Sequence, residues 1–142
     1  MTNPLHHSVW PHRILRLHAA FLIVLTTLLS CLAVYGLKTG AGPFAWVAPE
    51  PLAVLGLLQA YMLMFLLGVC FWRGASNENT IQWSLTAIAA HCVPLIVLVG
   101  LWNHWKGTGV LEVANMSFAI HGTWITVELI SIVIAFKSRK QQ

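Results

Sequence analysis

Residues 81–102 read IQWSLTAIAAHCVPLIVLVGLW, and residues 111–136 read LEVANMSFAIHGTWITVELISIVIAF. Each run is apolar for longer than the ~20 residues that a helix needs to cross a hydrocarbon core. Each also carries one histidine near its middle, His91 in the first and His121 in the second. At the helical rise per residue, His91 lies about 16 Å below the boundary set by Trp102, and His121 about 15 Å below the boundary set by Leu111. Ionisable side chains are costly inside a bilayer, so two imidazoles at one depth form a functional-site hypothesis.

Outward from this pair, two earlier runs complete the pattern, from about Ile14 to Leu37 and from about Leu52 to Trp72. The breakers fall between runs: Lys38 to Pro43 with Pro49-Glu50-Pro51, then Arg73 to Asn77, then Lys106 to Gly109. Of 142 residues, 58% are hydrophobic and 8% charged, and the mean hydropathy is +0.75. Apolar blocks of this length exclude an ordinary soluble core. The expected fold is an all-α integral membrane protein: one membrane domain over residues 1–142, with four transmembrane helices in a bundle.

Basic residues set the expected orientation. Arg13, Arg16, Arg73, Lys137, Arg139 and Lys140 fall on one side, and only Lys38 and Lys106 on the other. Positive charge accumulates on the cytoplasmic side, which puts both termini there or on its organellar equivalent. Trp46, Trp72, Trp83, Trp102 and Trp105 sit near the proposed interfaces, where an indole buries its ring and keeps its N–H wet. The net charge of +4 then belongs to topology and lipid headgroups, not to nucleic acid.

Several local patterns carry less. Arg13 and Arg16 before an apolar run ending at Cys31 imitate a lipoprotein leader, and this stretch is read as the first spanning helix instead. Asn115-Met116-Ser117 matches a glycosylation acceptor but lies in the start of the fourth helix. Cys31, Cys70 and Cys92 form no Cys-x-x-Cys pair and read as small apolar helix residues. His6, His7 and His12 lack a carboxylate or thiol nearby, and Pro4 and Pro11 predict an irregular segment, so a solvated or interfacial tail is expected there.

The helical faces are informative. On the fourth helix Ser117, His121, Trp124, Glu128, Ser131 and Ala135 recur at steps of four and three, forming one seam. Ser84, Ala87 and His91 form a shorter seam on the third. The first helix offers Ala19, Thr26, Ser30 and Ala33, and the second Ala53, Gly56 and Ala60 with Gln59 beside them. Small residues permit close approach, so these faces are expected to turn inward.

Two readings of the histidines stand side by side. Paired imidazoles on facing helices are the axial donors of a six-coordinate haem b, with Ala87 and Ser117 one turn away leaving room for the porphyrin edge. Alternatively the histidines hydrogen-bond across helices, and Pro94 frees the Ala90 carbonyl as a nearby acceptor. The spacing of Ala87, His91 and Trp102 also resembles the chlorophyll-ligating helices of light-harvesting polypeptides. That resemblance covers one helix and implies a chlorophyll-type pigment with one axial histidine; the paired depth favours haem.

Glu128 is the one carboxylate deep in the expected membrane, about 10 Å from His121 along the same seam. A buried carboxyl needs a partner or a proton, and His18 near the start of the first helix is the expected cation. With His104 at the outer rim, these groups would mark a proton path or the edge of a quinone site, against a purely structural role for Glu128. No phosphate-cradling loop, nucleophile elbow or metalloprotease motif is present, so catalysis by this chain alone is not expected.

In architecture the chain is similar to the haem-anchoring subunits of respiratory enzymes. That similarity implies a subunit of a respiratory or photosynthetic electron-transfer complex, cytochrome b-like, in a prokaryotic plasma membrane or an organellar energy-transducing membrane. Its partners would be lipid, other integral subunits and a quinone. The competing expectations are a cofactor-free accessory subunit and a small proton-coupled transporter.

Overall fold

A computed structural model describes residues 9–77, 79–107 and 111–140. These residues form helices α1 (Trp10–Thr39), α2 (Pro51–Gly74), α3 (Thr80–Gly100), α4 (Trp102–Gly107) and α5 (Leu111–Lys140), with a short 3-10 turn at Ala45–Val47. Four stretches, Trp10–Thr39, Leu52–Gly74, Thr80–Gly100 and Leu111–Ser138, are long and apolar enough to cross a membrane. The chain divides into two compact units, residues 16–73 and residues up to 15 together with those from 74 onward.

Within the first unit, α1 buries Ala19, Leu22, Thr26 and Ala33, the three- and four-residue steps of one helical stripe. Half-buried Ser30 lies on the same stripe, as expected. Gly68 of α2 fits against this stripe. A Cβ there would come 2.9 Å from Ile23 Cγ1 and 3.2 Å from the Ala19 carbonyl oxygen. α1 stops at Gly40, whose φ of 63° suits a glycine just past a helix C-terminus. Its N–H closes the last turn on the Gly36 carbonyl at 2.8 Å.

The expected inward face of α2 is a correction. Ala53, Gly56, Gln59 and Ala60 are all exposed, and nothing lies within 4 Å of a Cβ built on Gly56. α2 instead buries Val54 and Phe71 with Gly68. Large apolar side chains secure more burial than small ones, and one glycine suffices for close approach.

In the second unit α3 lies along α5. α3 buries Thr80, Ser84, Ala87 and His91 on one face and stays helical through Pro94. It ends at Gly100, two residues before the predicted boundary, and α4 occupies part of the predicted loop. Trp102 of α4 meets Phe118 of α5 edge-on with centroids 5.5 Å apart, and Lys106 Nζ sits 5.8 Å from the Trp102 ring centre. These contacts give the connection enough local packing to remain helical.

Helix α1 begins at Trp10, earlier than expected. Pro11 lies in its first turn, where a missing N–H costs no hydrogen bond; the irregular segment predicted from Pro11 is therefore corrected to helix. Val24, Leu28, Leu52, Leu63, Ile96, Val97, Ile130 and Val133 are among many large apolar side chains left exposed. Such extensive outward apolar surface suits lipid contact.

Candidate functional site

The site is built on the seam between α3 and α5. On α3 the three- and four-residue steps from Thr80 to His91 put every polar group of the seam on its buried face. On α5 Glu128 and Ser131 are fully buried, while Ser117, His121, Trp124 and Ala135 are half-buried. None of the six residues read as the α5 seam is exposed.

His91 and His121 meet. Their Nδ1 atoms lie 2.7 Å apart, with ring centroids separated by 5.0 Å and planes inclined at 53°. In neutral imidazole one nitrogen carries a proton and the other accepts one. A nitrogen pair at this separation therefore holds one proton, with one ring in the Nδ1–H form and the other in the Nε2–H form. The contact is part-buried, with His91 buried and His121 half-buried, a setting in which a hydrogen bond is stronger than in open water.

The donor type suits haem, but the spacing does not. A metal–imidazole bond is about 2 Å long, so one ion held between two rings would set their nitrogens about 4 Å apart. A porphyrin would also need its plane clear between them. With their centroids 5.0 Å apart, the two rings as packed stand closer together than a porphyrin between them allows. Ala87, fully buried, sits one turn from His91 on the same face, where its small side chain permits that approach.

Glu128 is fully buried, lies seven residues beyond His121 and has an interaction partner. His18 belongs to the unit of residues 16–73. It is fully buried, with its ring tilted at 46° and 5.4 Å from Phe71. Ser84 Oγ and Ser131 Oγ are buried with no hydrogen-bond partner among the described residues.

Of the three amino-terminal histidines, His6 and His7 lie outside the described residues. His12 Nδ1–H donates to the Ala75 carbonyl at 2.8 Å, across 63 positions of sequence. Sequence spacing had no signal for this contact, and the solvated or interfacial tail expected at His12 is corrected to a helical residue hydrogen-bonded to Ala75. No group of three or more metal-capable side chains occurs among the described residues.

No family model, curated protein or solved structure matches the chain.

Proposed function

We propose that the chain is a multi-pass accessory subunit of a larger integral-membrane electron-transfer assembly, with its α3–α5 pair fastened by His91 and His121. The observation that carries this reading is the 2.7 Å contact between the two Nδ1 atoms. It pairs one nitrogen of each imidazole with the other across the helix seam, the role expected of polar side chains that join membrane helices. The outward apolar faces of the helices would meet lipid and neighbouring subunits, with both termini on the positive side of an energy-transducing membrane.

A second reading is favoured by the shared level of the two histidines and by small Ala87 and Ser117 one turn away. In that cytochrome b-like reading His91 and His121 are the axial ligands of haem b, and α3 and α5 part to admit it. Glu128 would then border a proton or quinone site.

A reduced-minus-oxidised visible spectrum of the protein made with haem supplied separates the two. The accessory reading expects no b-type band. A band lost in both His91→Ala and His121→Ala would replace it with the cytochrome reading, and a band that survives both substitutions would assign the haem to a partner.

A further inference from the structure

We propose that the α3–α5 seam is a hydrated proton-access path that reaches from one membrane face to the histidine pair near mid-depth. The proposal goes beyond the accessory role and does not depend on the identity of any partner.

The two ring contacts, His91 with His121 and Trp102 with Phe118, run in opposite chain senses, so α3 and α5 are antiparallel. Seven residues back along α3 from His91 is Ser84, and seven residues forward along α5 from His121 is Glu128. Both therefore lie about 10 Å from the histidine pair, toward the same end. Thr80 and Ser131 come next. From Thr80 to His91 the seam covers about 16 Å, roughly half of a 30 Å hydrocarbon core.

The hydroxyls on this seam differ from those elsewhere. Thr27, Thr86 and Thr126 are exposed, and each donates to the carbonyl four residues earlier on its own helix, at 2.7, 2.9 and 2.9 Å. Buried Thr26 does the same at 2.7 Å. Ser84 and Ser131 share the helical backbone that makes this bond available, yet neither Oγ takes it, and both are sealed from solvent. A buried hydroxyl that takes no protein partner is the usual host of an internal water, which needs two to four polar partners. Glu128 and the histidines supply further polar groups along the same line.

Between Thr80 and Gly100, α3 has no titratable side chain besides His91 and the Cys92 thiol; between Val113 and Phe136, α5 has none besides His121 and Glu128. Beyond the histidines the polar line breaks off after Ser117, which makes the path a half-channel. A proton entering at the Thr80 end would pass by exchange: each water or hydroxyl accepts one proton and gives up another, and none is changed overall. The neutral pair shares one Nδ1–H, so the donor ring's Nε2 is its basic nitrogen. A proton taken there leaves the hydrogen bond in place and makes it charge-assisted.

Water-to-protein magnetisation transfer, measured by solid-state NMR on the full chain in bilayers with 15N-labelled histidine, tests this. The expected result is transfer to the His91 and His121 rings several-fold faster than to the Val97 methyls, which face outward. Ser84→Val is expected to slow transfer to the rings several-fold and Ser84→Ala less, while Thr86→Val leaves it unchanged. Retained ring nitrogen shifts show that a variant keeps the histidine pair. Native transfer no faster than to Val97 would overturn the proposal, whether or not the variants fold. So would unchanged transfer to the rings in a folded Ser84→Val protein.

Discussion

Trp83 lies against Gly74 so closely that a Cβ on that glycine would overlap the indole ring. The pair joins the end of α2 to the first turn of α3 across residues 75–79. Gly74→Ala is therefore expected to lower stability by about 1–3 kcal/mol, the usual effect of overpacking. Thermal unfolding in detergent would measure it. Combining Gly74→Ala with Trp83→Ala should recover part of the loss, because the clash then disappears.

His91 and His121 should be energetically linked. In a double-mutant cycle with His91→Ala and His121→Ala, the interaction is expected to be about 0.6–2 kcal/mol, the range for polar contacts between membrane helices. The cycle is read from unfolding in bilayers or mixed micelles. Strictly additive losses would mean that the imidazoles do not share a proton.

Two glycines of α2 should respond in opposite directions. Gly68→Ala pushes a methyl into Ile23 and the Ala19 carbonyl and should destabilise the α1–α2 contact by about 1–3 kcal/mol. Gly56→Ala meets open space and should be neutral or stabilising by up to about 1 kcal/mol through helix propensity. Melting curves of the isolated chain distinguish the two. If Gly56→Ala instead proves the more damaging, the burial pattern of α2 is reversed.

His12→Ala removes the donor to the Ala75 carbonyl. The expected cost is about 0.5–1.5 kcal/mol, typical of one hydrogen bond, with faster amide exchange concentrated at residues 74–77. Hydrogen exchange followed by mass spectrometry localises the effect. Uniform acceleration along α1 would instead point to a role in starting that helix.

The distribution of Lys and Arg predicts sidedness. In intact cells, with Cys31, Cys70 and Cys92 replaced, a membrane-impermeant thiol reagent should label Ala41→Cys and spare Asn77→Cys until the cells are opened. The reverse pattern would invert the proposed orientation.

Much of the architecture was legible because hydrocarbon imposes it: an unpaired backbone group is too costly there, so long apolar runs must be helices. Alternation of three and four residues identified the α5 seam from Ser117 to Ala135 and the α3 seam from Ser84 to His91. The same approach failed on α2, where a stripe of small residues resembled a packing face. Residue size alone does not say which face has a neighbour to pack against.

The four long apolar helices and the matched positions of His91 and His121 along two of them thus follow from the sequence, through the length needed to cross a bilayer and the fixed rise of a helix. Tertiary structure decided that the two Nδ1 atoms meet at 2.7 Å, that Gly68 and not Gly56 takes the close contact, and that His12 reaches Ala75. These depend on helix rotation and separation, which are set by how side chains of distant segments interlock. Periodicity within one segment does not contain that information.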